Sequence, residues 1–289
     1  FLKEPLLGHF EEKLTSQSGR GGTFPRFSSY RKDITLKNIV PGADYTGGFS
    51  MIGSKFYGGG IDGTKAKLRF SYDGREVVHA EAERFLLRLD KVESEETEVS
   101  VYMGEDSLYH PKVTLRFLPD QKQLTIIRKN EGLGLTPFSD GFHKMDITFE
   151  VLTWKIDEPL MRMGNMNMGA ESPVIFESKQ YFRGQRFSAL NGLSLRSPLY
   201  ELREMSMAYG RDEFTLAQVA QHMRMDESNA HIFMMNMSLN GFVKYDLQKR
   251  EAVFQDKIFE YILNNEKKRD YDVIRFVSNL SQGSNAKLS

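Results

Sequence analysis

The 289-residue chain is 40% hydrophobic and 27% charged, the composition of a folded protein rather than a disordered or collagenous one, and its length suits about two domains of roughly 100 to 200 residues. Its 39 lysines and arginines balance 39 aspartates and glutamates, so no net field draws nucleic acid or an anionic membrane. The absence of cysteine excludes disulfides, thiolate metal sites and cysteine nucleophiles, and no run approaches the roughly 18 apolar residues of a membrane-spanning helix.

Residues 1–27 combine a short amphipathic start with the stretch SQSGRGGTFPRF, whose glycine, serine and proline punctuate the chain. This part is expected to be a linker. The start at Phe1 and the polar ending SQGSNAKLS give the sequence the character of a piece of a longer chain.

Residues 28–196 are expected to form a β-rich domain. Short runs such as ITLKNIV, AKLRFSY, KVTLRFL and MDITFEVLTW are separated by turn dipeptides at Pro41-Gly42, Asp62-Gly63, Asp73-Gly74, Pro119-Asp120 and Asp140-Gly141. Alternation is strict in several of them: Leu68, Phe70 and Tyr72 share one face while Lys67, Arg69 and Ser71 share the other, and Val113, Leu115 and Phe117 repeat the pattern. Strands at roughly 10-residue spacing with no strong helix between them predict a sandwich or a β-solenoid rather than a parallel α/β sheet.

The period changes at residues 197–265. Pro198 at a first helical position and Gly210 beyond the end bracket one helix; Thr215 and Gln218 form a capping box for a second, striped by Leu216, Val219, Ala220 and Met223. A third helix, ESNAHIFMMNMSLN, closes at Gly241, and FVKYD and EAVFQ form a hairpin. This order, from Pro198 to Gln255, resembles the winged helix-turn-helix, and residues 266–289 follow as an extension. The resemblance implies DNA binding, but the third helix contains no lysine or arginine from Ser228 to Asn240, whereas a groove-reading helix offers polar and cationic side chains to base edges. Between Asp212 and Ile262, eight acids outnumber five bases, and only the wing cations Lys249 and Arg250 support DNA contact. A packing or protein-docking module is expected and no nucleic acid partner. The same apolar composition predicts burial of Ile232, Phe233, Met235 and Leu239.

Gly58, Gly60 and Gly63 spell GxGxxG, with Glu81 and Glu83 where a dinucleotide fold would place a ribose carboxylate. Pyrophosphate binding needs a helix N-terminus directly after the glycines, and TKAKLRFSYD alternates like a strand; a glycine-rich turn is the expectation. Met161, Met163, Met166 and Met168 are thioether candidates for a soft metal, but flexible apolar filler around glycines is the expected reading. The six histidines show no zinc-like pairing within one element. No cofactor or metal site is therefore expected.

Asp146 and Glu150 share a face of one expected strand but lie about 13 Å apart along it, beyond the roughly 5 to 10 Å of a glycosidase pair. The acidic run ESEETE at 93–98 is expected at a solvated strand edge or loop. No catalytic residue is assigned. The candidate binding surface is Asp106, Tyr109, His110 and Trp154, since exposed aromatics stack on sugars and anchor interfaces; a buried tryptophan is the plain alternative.

The phrases ITLKNIVPGADYTGGFSMIGSKFYGGG, GEDSLYHPKVTLRF and FESKQYFRGQRFSAL resemble stretches of very large surface or envelope proteins of Bacteroidetes-type bacteria. That resemblance implies a cell-envelope or secreted location, which composition alone does not separate from the cytoplasm. It further implies a non-enzymatic structural or protein-interaction segment, partnered by other domains of a longer parent chain or by envelope proteins and not inserted in the membrane. The alternatives are a glycan-binding β-domain and a β-fold enzyme acting on polysaccharide.

Overall fold

In the computed structural model, which describes residues 5–13, 24–59, 63–164, 173–179, 181–190, 197–271, 274–278 and 286–288, the first two-thirds of the chain is an antiparallel sheet. Its strands are β1 (Gly8–Glu11), β2 (Arg26–Ser29), β3 (Ile34–Val40), β4 (Ala43–Gly47), β5 (Phe49–Ile52), β6 (Lys55–Gly58), β7 (Ala66–Tyr72), β8 (Arg75–Ala82) and β9 (Phe85–Leu87). The long hairpin β10 (Val92–Met103) and β11 (Asp106–Leu118) follows, then β12 (Gln123–Arg128), β13 (Phe138–Asp140), β14 (Met145–Thr148), β15 (Val151–Lys155), β16 (Met161–Gly164) and β17 (Val174–Ser178).

The helical part comprises α1 (Gly184–Ala189), α2 (Pro198–Tyr209), a short strand β18 (Glu213–Thr215), α3 (Leu216–Met223), α4 (Glu227–Leu239), the hairpin β19 (Val243–Asp246) and β20 (Glu251–Phe254), and α5 (Lys257–Asn265). The capping signals act as the sequence indicates. Pro198 opens α2 and Gly210 ends it in the left-handed region at φ +62°, Thr215 and Gln218 close a reciprocal capping box on α3, and Ser197, not singled out from the sequence, caps α2. The chain then returns to the large sheet: β21 (Arg275–Ser278) pairs with β17 and β22 (Ala286–Leu288) with β16. At the other end β1 pairs with β2, so residues read as linker and extension each supply strands to the sheet.

The β10–β11 hairpin organises everything around it. Val92 and Glu93 pair with β9, but after register shifts at Ser94, Thr97 and Val99 the same strand pairs with β8. On β11, Val113 to Leu118 pair with β12 while Leu108 and Tyr109 pair with β13. Two branches result, and the chain visits them alternately in pairs of strands. One is β1-β2-β5-β6-β9 continuing through the hairpin to β12-β15-β16-β22; the other is β3-β4-β7-β8 continuing to β13-β14-β17-β21. Their apolar sides face each other, as the edge-on contact of Phe70 (β7) with Phe117 (β11) at 4.7 Å between ring centres demonstrates.

Register turns alternation into continuous apolar rows. In the β9 branch Phe10, Phe27, Met51, Phe56, Leu87, Val92, Phe117, Leu124, Trp154 and Met161 stand opposite one another from β1 to β16. The row is closed from Leu87 onwards and open at its β1 end, where Phe56 and Phe10 are 47% and 56% exposed. In the β8 branch Leu36, Tyr45, Leu68, Ala80, Val99 and His110 form the equivalent row, all buried.

Three sequence expectations are corrected. The run MDITFEVLTW is two strands, because a bend at Phe149 and Glu150 moves the chain from β17 as neighbour to β12 and β16. The run ESEETE lies in the central strand β10; its bulge, not an edge, exposes Glu95 and Glu96. On α4, Ile232 is 58% exposed and Phe233, Met235 and Leu239 are half-buried. The side facing the core is Ala230, Met234, Met237 and Ser238, whose helical spacing fits the module interior. That interior also takes Phe182 and Phe187, with Phe182 edge-on to Tyr261 at 5.0 Å.

Candidate functional site

A cleft of about 1020 Å³ opens between the outer face of strands β8 to β11 and the β19–β20 hairpin. Alternation places its walls: with Val99 and Val101 turned into the core, Glu98 faces outward, and with Val243 and Tyr245 inward, Lys244 is exposed. Lys65, just ahead of β7, spans the cleft, its Nζ lying 3.2 Å from Glu98 Oε2 and 2.7 Å from Asp246 Oδ2. Burial opposes the Lys65 ammonium, yet the hydrogen bond to Asp246 and the charge of Glu98 outweigh it and raise its pKa. Tyr109 donates its hydroxyl to Glu98 Oε1 at 3.1 Å and carries Lys244 Nζ 4.2 Å above its ring centre. Burial, with the Glu98 charge beside it, raises the phenol well above its ordinary value.

Three further carboxylates lining the cleft, Glu81, Glu93 and Glu96, are tied down as well. Arg116 and Lys91 hold Glu93 at 2.7 and 2.8 Å, Lys112 holds Glu96 at 2.9 Å, and Lys67 with His79 holds Glu81 at 2.8 and 3.0 Å. The His79 hydrogen bond leads in pulling the Glu81 carboxyl down to about 2. A carboxylate held so far below neutrality is a weak general base and no general acid at pH 7. These pairs brace the β-sheet wall, while Lys65, bonded to Asp246, ties that wall to the β19–β20 hairpin.

Of the four residues singled out from the sequence, the structure brings Tyr109 alone into this cleft. Asp106 stands at the tip of the β10–β11 hairpin, its Oδ1 3.9 Å from Lys144 Nζ. His110 is fully buried in the apolar row, where Nδ1 accepts the Lys112 N–H at 3.1 Å and Nε2 contacts the Thr136 carbonyl at 2.8 Å. The second contact requires a proton on Nε2, so the ring is the neutral tautomer, and burial pushes its pKa down to about 3. Trp154 is 7% exposed and donates Nε1–H to the Glu158 carbonyl at 2.8 Å. The pair that bridges the cleft and that sequence reasoning missed is Lys65 and Asp246, 181 positions apart.

The glycine run has a packing explanation. A Cβ on Gly58 would stand 2.5 Å from the Tyr45 ring, and one on Gly59, at φ +119°, would stand 2.0 Å from the Glu83 carbonyl. Gly60 lies outside the described residues, and the element after Gly63 is strand β7, not a helix. Met161 and Met163 are buried in β16, while Met166 and Met168 lie outside the described residues. Among the described residues no group of three histidine, aspartate or glutamate side chains is placed to hold a metal ion, and no helix is long and apolar enough to cross a membrane. Comparison of the chain with protein-family models, with curated proteins and with solved structures yields no match.

Proposed function

We propose that the chain is a non-enzymatic structural and protein-interaction segment of a larger cell-envelope protein, built as a β-sandwich that carries a winged-helix-like module in docking use. The observation that carries this reading is the Lys65 bridge to Glu98 and Asp246. Asp246 ends the first strand of the wing, so the surface a DNA reader would turn to phosphate is here engaged with the β-domain. Met235 on α4, the position of a recognition helix, sets its terminal methyl against Gly132 of the β-domain, and Lys244 covers Tyr109. Two facing antiparallel branches support the sandwich over a solenoid.

Sequencing the gene on both sides of this segment tests the proposal. An export signal upstream and further β-rich modules are the expected result; a flanking cytoplasmic enzyme domain, or bond cleavage when the chain is incubated with a panel of polysaccharides, would overturn it.

A further inference from the structure

A second pocket, of about 450 Å³, lies on the other side of the module junction, between the β13–β14 turn, the end of β17 and the start of α5. Ser178 lines it, is 8% exposed, and its Oγ has no hydrogen-bond partner. An orphaned buried hydroxyl is costly and favours any acceptor that reaches it. Its neighbour Lys179, half-buried in the same pocket, makes no ion pair among the described residues; burial, and the nearby charges of Lys144 and Lys244, depress its ammonium pKa against the pull of Asp146 and Asp140.

The remaining lining explains which ligand charge would fit. The nine-residue helix α5 begins here with no side chain capping it, so the positive end of its dipole is open. His143 contributes a ring oriented by Asp140, with Nδ1 2.7 Å from Oδ2, and Lys144 lies alongside. The acids present are already engaged: Asp140 with His143, Asp146 with Lys257 at 2.6 Å, and Glu260 through Oε1 with Arg269 at 2.6 Å, its Oε2 buried without a partner. Asp256, exposed at the helix start, and the unpartnered Oε2 of Glu260 are the acidic groups left to oppose an anion.

We propose that this pocket is a binding site for a phosphate-class oxyanion, held by Ser178 Oγ–H, the Lys179 ammonium and the positive end of α5. A tetrahedral oxyanion offers acceptors to all three at once, and the volume leaves room for an organic substituent on it.

The test is calorimetric titration of the whole chain with inorganic phosphate near neutral pH. One saturable site is expected, weakened about tenfold or more by Lys179→Gln and by Ser178→Ala, each of which removes one hydrogen bond to a charged ligand, and unchanged by Lys55→Gln on the distant surface. Removing an unpaired buried cation does not cost the fold an ion pair, so Lys179→Gln remains a folded reporter if Ser178→Ala does not. In the unaltered chain, phosphate should also shift the His143 ring resonances. No saturable binding, affinity indifferent to Lys179→Gln, unmoved His143 signals, or acetate binding more tightly than phosphate would each overturn the proposal.

Discussion

Lys257 Nζ on α5 lies 2.6 Å from Asp146 Oδ2 on β14, with both side chains only 11% exposed, so a single buried ion pair ties the last helix of the module to the β-domain. Removing one partner leaves a buried charge uncompensated. Lys257→Met is expected to cost about 3 to 5 kcal/mol, whereas the double change Asp146→Leu with Lys257→Met should be neutral or stabilising by about 1 to 4 kcal/mol. Urea midpoints of the three proteins check this; a double variant as weak as the single one would show that the pair is not the unit that matters.

The apolar row of the β9 branch predicts a gradient of mutational cost. Phe117→Ala, at 2% exposure, should cost about 3 to 5 kcal/mol, while Phe10→Ser at the open end should fall within about 0.5 kcal/mol. Thermal denaturation of both variants decides it. Equal losses would mean that the β1 end is covered in solution.

His110 makes stability fall with acid. Its imidazole protonates near 6.5 when unfolded and only near 3 when folded, so between those values the unfolded state binds the extra proton. Stability is full above about pH 6.5 and declines toward pH 3, by up to about 1.4 kcal/mol per pH unit from this group. Denaturation of the wild-type chain and of His110→Gln across that window should show a flatter profile in the variant.

His79 behaves in the opposite sense. Its hydrogen bond to Glu81, outweighing burial and joined by Glu76, raises its pKa, so its contribution is complete below the unfolded value near 6.5 and is lost as pH rises through the folded one. The His79 ring titration, followed by NMR, should move to lower pH in Glu81→Gln.

The helical module should not bind DNA at physiological salt. Its two wing cations neutralise about two phosphates where tight nonspecific binders use roughly 6 to 10, and Arg250 is already paired with Glu227 at 3.0 Å. Fluorescence anisotropy with a random duplex at about 150 mM salt checks this: salt-dependent binding that Lys249→Ala and Arg250→Ala abolish would return the module to the nucleic-acid class.

Local signals carried the parts of this fold that depend on neighbours in sequence. Pro198 and Gly210 mark α2, Thr215 and Gln218 mark α3, and the alternation around Leu68 and Leu115 marks β7 and β11, because capping and pleating act within a few residues. His110 was within reach of the same logic, since it continues the inward set from Leu108. What stayed out of sight depends on long-range register: the bulge at Ser94 that makes ESEETE central, the bend at Phe149, and the meeting of Lys65 with Asp246. Ser178 and Lys179 gave no signal either, because a hydroxyl without a partner is a property of the folded surroundings, not of its sequence neighbours.

The pairing of β17 with β21 has a consequence for how the protein is made. The two strands are neighbours in the sheet although every residue of the helical module lies between them in the chain. On the ribosome, the module therefore emerges before the sheet that holds it has received its final strands. Until then β16 and β17 present open edges, Phe176 lacks the Phe276 ring that stacks on it at 4.4 Å, and the nascent chain is at its most adhesive. A module that folds before β21 arrives would shorten the effective loop over which β21 must find β17, so the helical insert lowers the entropic cost of adding that last strand.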